Sequence, residues 1–214
     1  MAIFYLDVKP LKRSEGRSAV AAAAYRAAAK LTDHSTGKNF DYTKKHDNVF
    51  KSECFMLVDG QKTIVDRGKL WNEAEQVEKR KDARTAREII INLPHEVDDE
   101  HREILVNQFT EQLAERYGVA IDWAIHRPDK GGDQRNHHAH IMMTTRTAEL
   151  KNNKICLNEK SLLELSNTKL TKLNQLLTKD QITEIRSNFA TLTNDLFESL
   201  GIDERVDHRS NAER

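Results

Sequence analysis

Two apolar segments on either side of a glycine-containing loop constrain the fold of this chain more than any other feature. The segments are AIDWAIHR, residues 120–127, and HAHIMMTT, residues 138–145. The intervening PDKGGDQR has the glycines and charges that are typical of a loop. If that loop is a hairpin connection, the two segments are antiparallel neighbours in one sheet. The sequence therefore predicts a sheet with at least one antiparallel pair at its centre.

Strands and helices alternate irregularly along the rest of the chain. Further strands are predicted over residues 2–8, 54–58 and 87–93, and helices over residues 18–30, 66–80, 98–117, 159–177 and 180–200. The first helix is dominated by alanine, the best helix former, and the first strand is expected to close at Lys9-Pro10. Residues 32–46 are predicted to be a loop or a hairpin. This pattern favours an α+β domain with an antiparallel sheet.

Composition narrows the class of protein. The chain of 214 residues is long enough for one large domain or two small ones. No apolar run approaches the ~18 residues that a membrane helix needs, and no secretory signal precedes the first strand. Cys54 and Cys156 match no metal or disulfide pattern, which favours a reducing cytoplasm. A formal net charge of zero weighs against a protein that coats duplex DNA.

Three histidines are expected to converge at the end of the predicted hairpin. Alternate side chains of a strand share a face, so His138 and His140 point the same way and His137 points away. His126 ends the neighbouring strand and would lie across the ladder from His138. Three neutral imidazoles with open positions suit a divalent metal, and Glu88 could approach the same place. On spacing alone, a surface histidine pair remains about as plausible as a metal site.

Several motifs together resemble one family. The motifs are RSEGRSAVAAAAYRAAAK, REIIINLP, the pair AIHRP and HHAHIMMTTR, and the closing RVDHRSNAER. Together they resemble the MobA/MobL (MobQ-type) conjugative relaxases. These are HUH endonucleases, named for two histidines that flank a hydrophobic residue. The resemblance implies a five-stranded antiparallel sheet flanked by helices, in a single relaxase domain over residues 1–214. It also implies the N-terminal part of a longer protein, in which any helicase lies elsewhere because no P-loop is present.

The resemblance assigns a role to each matching residue. Tyr25 falls where the family keeps its nucleophile, and His126, His138 and His140 fall on the metal ligands. Glu88 falls on an acidic residue associated with those histidines, as a base or as an orienting group. The implied cofactor is a divalent ion, Mg²⁺ or Mn²⁺, with Zn²⁺, Ni²⁺ and Co²⁺ as alternatives because magnesium prefers oxygen ligands.

The implied activity is site- and strand-specific nicking of plasmid DNA at the origin of transfer. A tyrosine phenol, whose pKa is ordinarily about 10, must lose its proton as it attacks phosphorus. The product would be a 5′-phosphotyrosyl intermediate with a free 3′-hydroxyl. The implied partners are single-stranded origin DNA with an adjacent hairpin, relaxosome accessory proteins and a type IV secretion coupling protein. The implied location is the bacterial cytoplasm, without membrane insertion.

Basic residues near these motifs are candidates for phosphate contacts, with plain solvated surface as the alternative. They are Lys12, Arg13, Arg17, Arg127 and Arg146, and also Lys44 and Lys45. Tyr42, in a polar segment, is a candidate second nucleophile or base-stacking platform.

Two other functions compete with the relaxase. A replication initiator or transposase of the same superfamily would use the same chemistry, but those relatives usually place the tyrosine after the histidine pair. A zinc-stabilised DNA-binding module would make no use of Tyr25 beyond packing.

Overall fold

An antiparallel sheet of seven strands lies at the centre of the molecule, whose computed structural model describes residues 3–209. The strands are β1 (Leu6–Lys12), β4 (Val49–Val58), β5 (Gln61–Ile64), β6 (Arg84–Asn92), β7 (Val119–His126), β8 (His138–Lys151) and β9 (Lys154–Lys160). Their order is β1-β6-β8-β7-β4-β5, and β9 pairs with the far end of β8. A separate two-stranded hairpin consists of β2 (Lys30–Asp33) and β3 (Lys38–Asp41).

Helices cover both faces of the sheet. They are α1 (Ala19–Arg26), α2 (Arg67–Val77), α3 (Asp99–Tyr117), α4 (Asn167–Lys172) and α5 (Thr178–Ser199). The larger core joins α3 and α5 to one face and contains Trp123, Ile141 and Met143. The smaller core joins α1 and α2 to the other face and contains Met142. Because strand side chains alternate, the histidines of β8 lie on the same face as Met142, beneath α1 and α2.

The α+β class with an antiparallel sheet is confirmed, but the strand count of five is wrong. Two short pairings account for the difference. β5 turns back on β4 through Asp59 and Gly60, which both have positive φ, and extends one edge of the sheet. β9 returns along β8 through Asn152 and Asn153, which are also left-handed. Left-handed turn residues of this kind allow tight antiparallel hairpins.

The helix expected over residues 159–177 is also wrong. Most of that range consists of the end of β9, a 3-10 turn at Leu162–Glu164 and the short α4. The start of the range belongs to β9, whose pairing with β8 places Lys160 opposite Arg146, and this tertiary pairing overrides the local helical pattern there. The first strand also passes through Pro10 instead of stopping there. β1 is an edge strand, paired only with β6, so the missing proline N–H does not break the ladder.

The alanine-rich helix is shorter than expected, and its early end matters for the site. Ser18 caps the start of helix α1, and its side chain accepts a hydrogen bond from the Ala21 N–H. It ends after Arg26, and Ala28 has a left-handed φ of 48°. The chain then turns into β2. Tyr25 and Arg26 therefore lie in the last turn of the helix, where they meet the sheet.

No helix in the described part of the chain is long and apolar enough to cross a lipid bilayer. After α5, the chain runs back along that helix. Asn194 accepts a hydrogen bond from the Val206 N–H at 2.8 Å, and Arg186 donates to the His208 carbonyl at 3.1 Å. Ser210 of the closing motif lies outside the described residues.

Candidate metal and nucleophile site

The register of β7 and β8 brings the three predicted histidines together. His126 is directly opposite His138, and His140 is opposite Ala124, two residues along on the same face. The imidazole centroids are 5.0–5.3 Å apart. One ring nitrogen from each histidine lies within 4.8 Å of the others, a spacing that fits one shared metal ion.

Hydrogen bonds behind the rings decide which nitrogen of each imidazole carries a lone pair. His126 donates from Nε2 to the Arg26 carbonyl at 2.7 Å. His138 donates from Nδ1 to the Asn136 carbonyl at 3.2 Å, and His140 donates from Nδ1 to the Glu88 carboxylate at 2.9 Å. Carbonyl and carboxylate oxygens only accept hydrogen bonds, so the nitrogen that faces them carries the proton. The other nitrogen of each ring therefore has a lone pair that can bind a metal. This oxygen-backed arrangement is the one that metal-ligating histidines ordinarily have.

The protonation of two of these rings also suits a metal. Burial lowers the pKa of His126 to about 4, and burial likewise lowers the pKa of His138. Both imidazoles are therefore neutral at pH 7, the form that binds divalent ions. The donor set fits Mn²⁺, Co²⁺, Ni²⁺ or Zn²⁺ better than Mg²⁺, because imidazole is a nitrogen ligand and magnesium prefers oxygen.

Glu88 lies behind the histidines and does not line the cavity in front of them. Its carboxylate accepts from His140 and from the Arg26 guanidinium, with which it forms a buried ion pair. Burial alone would raise the pKa of Glu88, but the hydrogen bonds from His140 and Arg26 lower it to about 2. A carboxylate this acidic is a weak base, and its position suits orientation of His140.

Arg26 joins α1 to the histidine-bearing face of the sheet at two points. Its carbonyl accepts from His126, and its guanidinium contacts the Glu88 carboxylate that orients His140. The residue next to Tyr25 therefore contacts one histidine directly and another through Glu88. The sequence carried no signal for this role, because a basic residue in the last turn of a helix is ordinarily explained by the helix dipole.

A single cavity of about 250 Å³ contains both the tyrosine and the histidines. It is lined by Tyr25, Lys45, Asn48, Val49, His126, Arg127, Asp129, His138 and His140. Tyr25 is 43% exposed, so its hydroxyl is accessible to a substrate as large as DNA. Its ring is held edge-on by Tyr42 at 5.2 Å, which gives Tyr42 a packing contact with the candidate nucleophile.

The predicted phosphate-binding residues are not gathered at this cavity. Arg127 lines it, stacks over Phe50 at 4.9 Å and pairs with Asp99 at 3.1 Å. Arg146 lies six residues beyond His140, roughly 20 Å along the strand, and pairs with Glu78 at 2.7 Å.

Three others, Lys12, Arg13 and Arg17, lie together on the surface before α1. Arg13 is held by Glu75 at 2.7 Å. Lys12 and Arg17 pair loosely with Glu15, at 3.5 and 3.9 Å. Of the seven predicted residues, Arg127 and Lys45 therefore border the site.

Comparison with known proteins supports one family. The MobA/MobL family model matches residues 17–214. The chain is 36% identical to the mobilization protein MobL of Acidithiobacillus ferridurans over 236 residues, covering all of this chain and 59% of that protein. It is 34% identical over 156 residues to the conjugal transfer protein TraA of Rhizobium radiobacter, covering 68% of this chain and 14% of that protein. The chain thus spans about three fifths and one seventh of these relatives.

One solved structure matches nearly the whole chain. It comes from work on the molecular basis of vancomycin resistance transfer in Staphylococcus aureus, with a TM-score of 0.80 and 28% identity. The match covers 98% of this chain and 100% of that chain, so the two share a fold. With the family model matching residues 17–214 and a relative 36% identical along the whole chain, the chain belongs to the MobA/MobL family.

Proposed function

We propose that this chain is a conjugative relaxase domain that nicks one strand of plasmid DNA at the origin of transfer. The observation that carries the proposal is the shared cavity, which brings a half-exposed tyrosine hydroxyl and three metal-competent imidazoles to one place. The names of its relatives, a mobilization protein and a conjugal transfer protein, support the same activity.

Each residue of the site has its own role in the proposed reaction. Tyr25 is the nucleophile, and attack of its oxygen on phosphorus would give a 5′-phosphotyrosyl bond and a free 3′-hydroxyl. His126, His138 and His140 would hold a divalent ion, which when bound supplies positive charge to the non-bridging oxygens of the phosphate. Arg127 borders the same cavity and can contact a neighbouring phosphate. Glu88 is assigned to orienting His140 because it contacts that ring from behind.

The wider setting is part of the same proposal. The substrate would be single-stranded origin DNA with an adjacent hairpin, in the bacterial cytoplasm. Relaxosome accessory proteins and a type IV secretion coupling protein would act with the larger protein of which residues 1–214 form the N-terminal relaxase domain. Fractional coverage of MobL and TraA supports a longer parent chain.

The test is covalent adduct formation. Single-stranded oligonucleotides that tile the DNA flanking the protein's own gene are incubated with the protein and Mn²⁺, then resolved on a denaturing protein gel. We expect a slower band with one oligonucleotide, its loss in Tyr25→Phe, and its loss when metal is chelated. Tyr42→Phe is the matched control, because Tyr42 contacts Tyr25 but does not line the cavity.

The competing functions predict other results. A zinc-stabilised binding module would bind DNA and metal but form no adduct with any oligonucleotide. An adduct that persists in Tyr25→Phe and disappears in Tyr42→Phe would move the nucleophile to Tyr42. A replication initiator would form the adduct on DNA from a replication origin and not on DNA from a transfer origin.

A further inference from the structure

Lys45 makes an unusual contact with the hydroxyl of Tyr25. Its Nζ lies 3.0 Å from the phenolic oxygen, within hydrogen-bond distance, and 4.1 Å from the centroid of the same ring. The lysine belongs to a 3-10 turn, Thr43–Asn48, that links β3 to β4. It lines the same cavity as the three histidines. One ammonium thus lies against both the oxygen and the face of the candidate nucleophile.

Ordinary surface pairing does not account for this position. Lysine on a surface usually pairs with a nearby carboxylate, and Asp41 lies four residues away. Asp41 instead accepts from Thr43 at 2.7 Å and pairs with Lys30 at 3.7 Å. Within residues 3–209, Lys45 has no carboxylate partner. Its ammonium is therefore free of a fixed counter-charge and is directed at the phenol.

Two other charged residues near the cavity, Glu88 and Arg127, are already paired with other side chains. Glu88, the acidic residue nearest the histidines, is bound to His140 and Arg26 and does not line the cavity. Arg127 lines the cavity but is paired with Asp99 and stacked on Phe50. In the described part of the chain, Lys45 is the cation that contacts the Tyr25 oxygen itself.

We infer that Lys45 is a catalytic residue that stabilises the phenolate of Tyr25, an inference that rests on the proposed function. An ammonium cannot accept the phenolic proton, but it donates a hydrogen bond to the oxygen and favours its negative charge. A charged donor aimed at the place where charge develops is the kind of group that accelerates a reaction. Lys45 keeps all its protons throughout.

The nicking step removes one proton from Tyr25 and returns one proton to the 3′-oxygen of the DNA. The phenolic proton of Tyr25 passes to water, and the phenolate, held by Lys45, forms the new bond to phosphorus. The bond from phosphorus to the 3′-oxygen breaks, and that oxygen takes a proton from water. In rejoining, the 3′-hydroxyl loses its proton to water as it attacks, the phosphotyrosyl bond breaks, and Lys45 stabilises the departing phenolate until it takes a proton from water. Lys45 therefore acts in both directions.

The first test separates chemistry from DNA binding. Lys45→Met is compared with wild type on the oligonucleotide with which wild type forms its adduct, with Mn²⁺ at saturation. We expect the single-turnover rate of adduct formation to fall about tenfold to a hundredfold; one lost charged donor costs about a hundredfold or more in a buried site, and less here because Lys45 is exposed. The Kd for the oligonucleotide should change by less than about threefold.

Two further variants test whether the positive charge at position 45 causes the loss of rate. Lys45→Arg retains a cation with N–H donors, so it should recover part of the lost rate. Lys38→Met removes the same charge from an exposed lysine at the tip of the β2–β3 hairpin, outside the cavity, and should behave as wild type. A Lys45→Met protein with normal rate, or one that merely binds DNA more weakly, overturns the inference in favour of a phosphate contact or plain surface.

A second measurement needs no DNA. Tetranitromethane nitrates phenolates, so nitration of Tyr25, followed by mass spectrometry of its peptide, reports how readily the phenolate forms. We expect slower nitration of Tyr25 in Lys45→Met than in wild type or Lys38→Met. Unchanged nitration overturns the inference. If wild type forms no adduct at all, the proposed function fails, and nitration alone then decides whether Lys45 stabilises the phenolate.

Discussion

At the scale of single residues, buried carboxylates are held in place by ion pairs with partly buried cations. Glu88 is the example at the histidines, and Glu78 is its counterpart at the other end of β8. Glu78 accepts from Arg146 at 2.7 Å and from Lys160 at 2.6 Å, and it ties the end of α2 to β8 and β9. Neither contact could be read from the sequence, because each joins residues more than sixty positions apart.

Glu78 leads to a prediction about pH and stability. Burial raises its pKa, but the hydrogen bonds from Lys160 and Arg146 outweigh burial, so the pKa lies below the usual 4.5. A lowered pKa contributes stability that is present above the usual value and is lost as pH falls through the folded value. Glu78→Gln should therefore lower the free energy of unfolding by about 1–2 kcal/mol at pH 7.

Urea unfolding at a series of pH values checks this prediction. The difference between wild type and Glu78→Gln should shrink as the pH falls below 4.5. A difference that stays constant across the acid range would show that the charge of Glu78 does not matter. Adduct formation at pH 7 should be unaffected while the protein is folded, because Glu78 lies far from the cavity lining.

At the scale of elements, α1 decides where Tyr25, the proposed nucleophile, lies. Its alanines have little side chain beyond the backbone, so the helix packs closely on α2 and the sheet. Ala23 is 1% exposed in the smaller core, while Ala21 is only half-buried. The composition predicted this helix with ease, but its early end, with Arg26 against His126, depends on contacts with the sheet.

Close packing of α1 can be tested by enlarging one alanine. Ala23→Leu should lower the free energy of unfolding by about 1–3 kcal/mol, because the core has no room for the added carbons. It should also slow adduct formation, since Tyr25 moves with the helix. Ala21→Leu is the matched control and should change both quantities little. Normal adduct formation in a destabilised Ala23→Leu protein would contradict the coupling of helix position to chemistry.

At the scale of the whole molecule, the histidines, as the proposed metal ligands, would link metal binding to folding. Ions that bind only the folded state stabilise it by about 2.7 kcal/mol at a concentration one hundred times Kd. For a chain of this size, each kcal/mol raises Tm by roughly 2–4 °C. Mn²⁺ at that concentration should therefore raise the Tm of wild-type protein by several degrees.

Two variants test whether the rise in Tm comes from metal bound at the three histidines. His126→Ala removes one ligand and should abolish most of the rise in Tm. Glu88→Gln leaves the ligands in place but weakens the orientation of His140, so the same rise should need about ten to a hundred times more metal. An undiminished rise in His126→Ala would place the metal elsewhere.

The sequence by itself determined which histidines share a face and which helix carries Tyr25. Period-2 alternation put His138 and His140 on one face, the glycine loop brought His126 opposite His138, and alanine content predicted the helix that carries Tyr25. These features are local, so a short stretch of sequence is enough to specify them. The α+β class follows from the same local patterns.

Only the tertiary structure decided the rest. The neighbouring strand decides whether β5 and β9 form, and whether β1 can continue through Pro10. Three hydrogen bonds at the site likewise join segments that are distant in sequence. They link Arg26 to His126, Glu88 to His140 and Lys45 to Tyr25. Hydrogen bonds and ion pairs act over a few ångströms in space, so their partners become known only when the chain is folded.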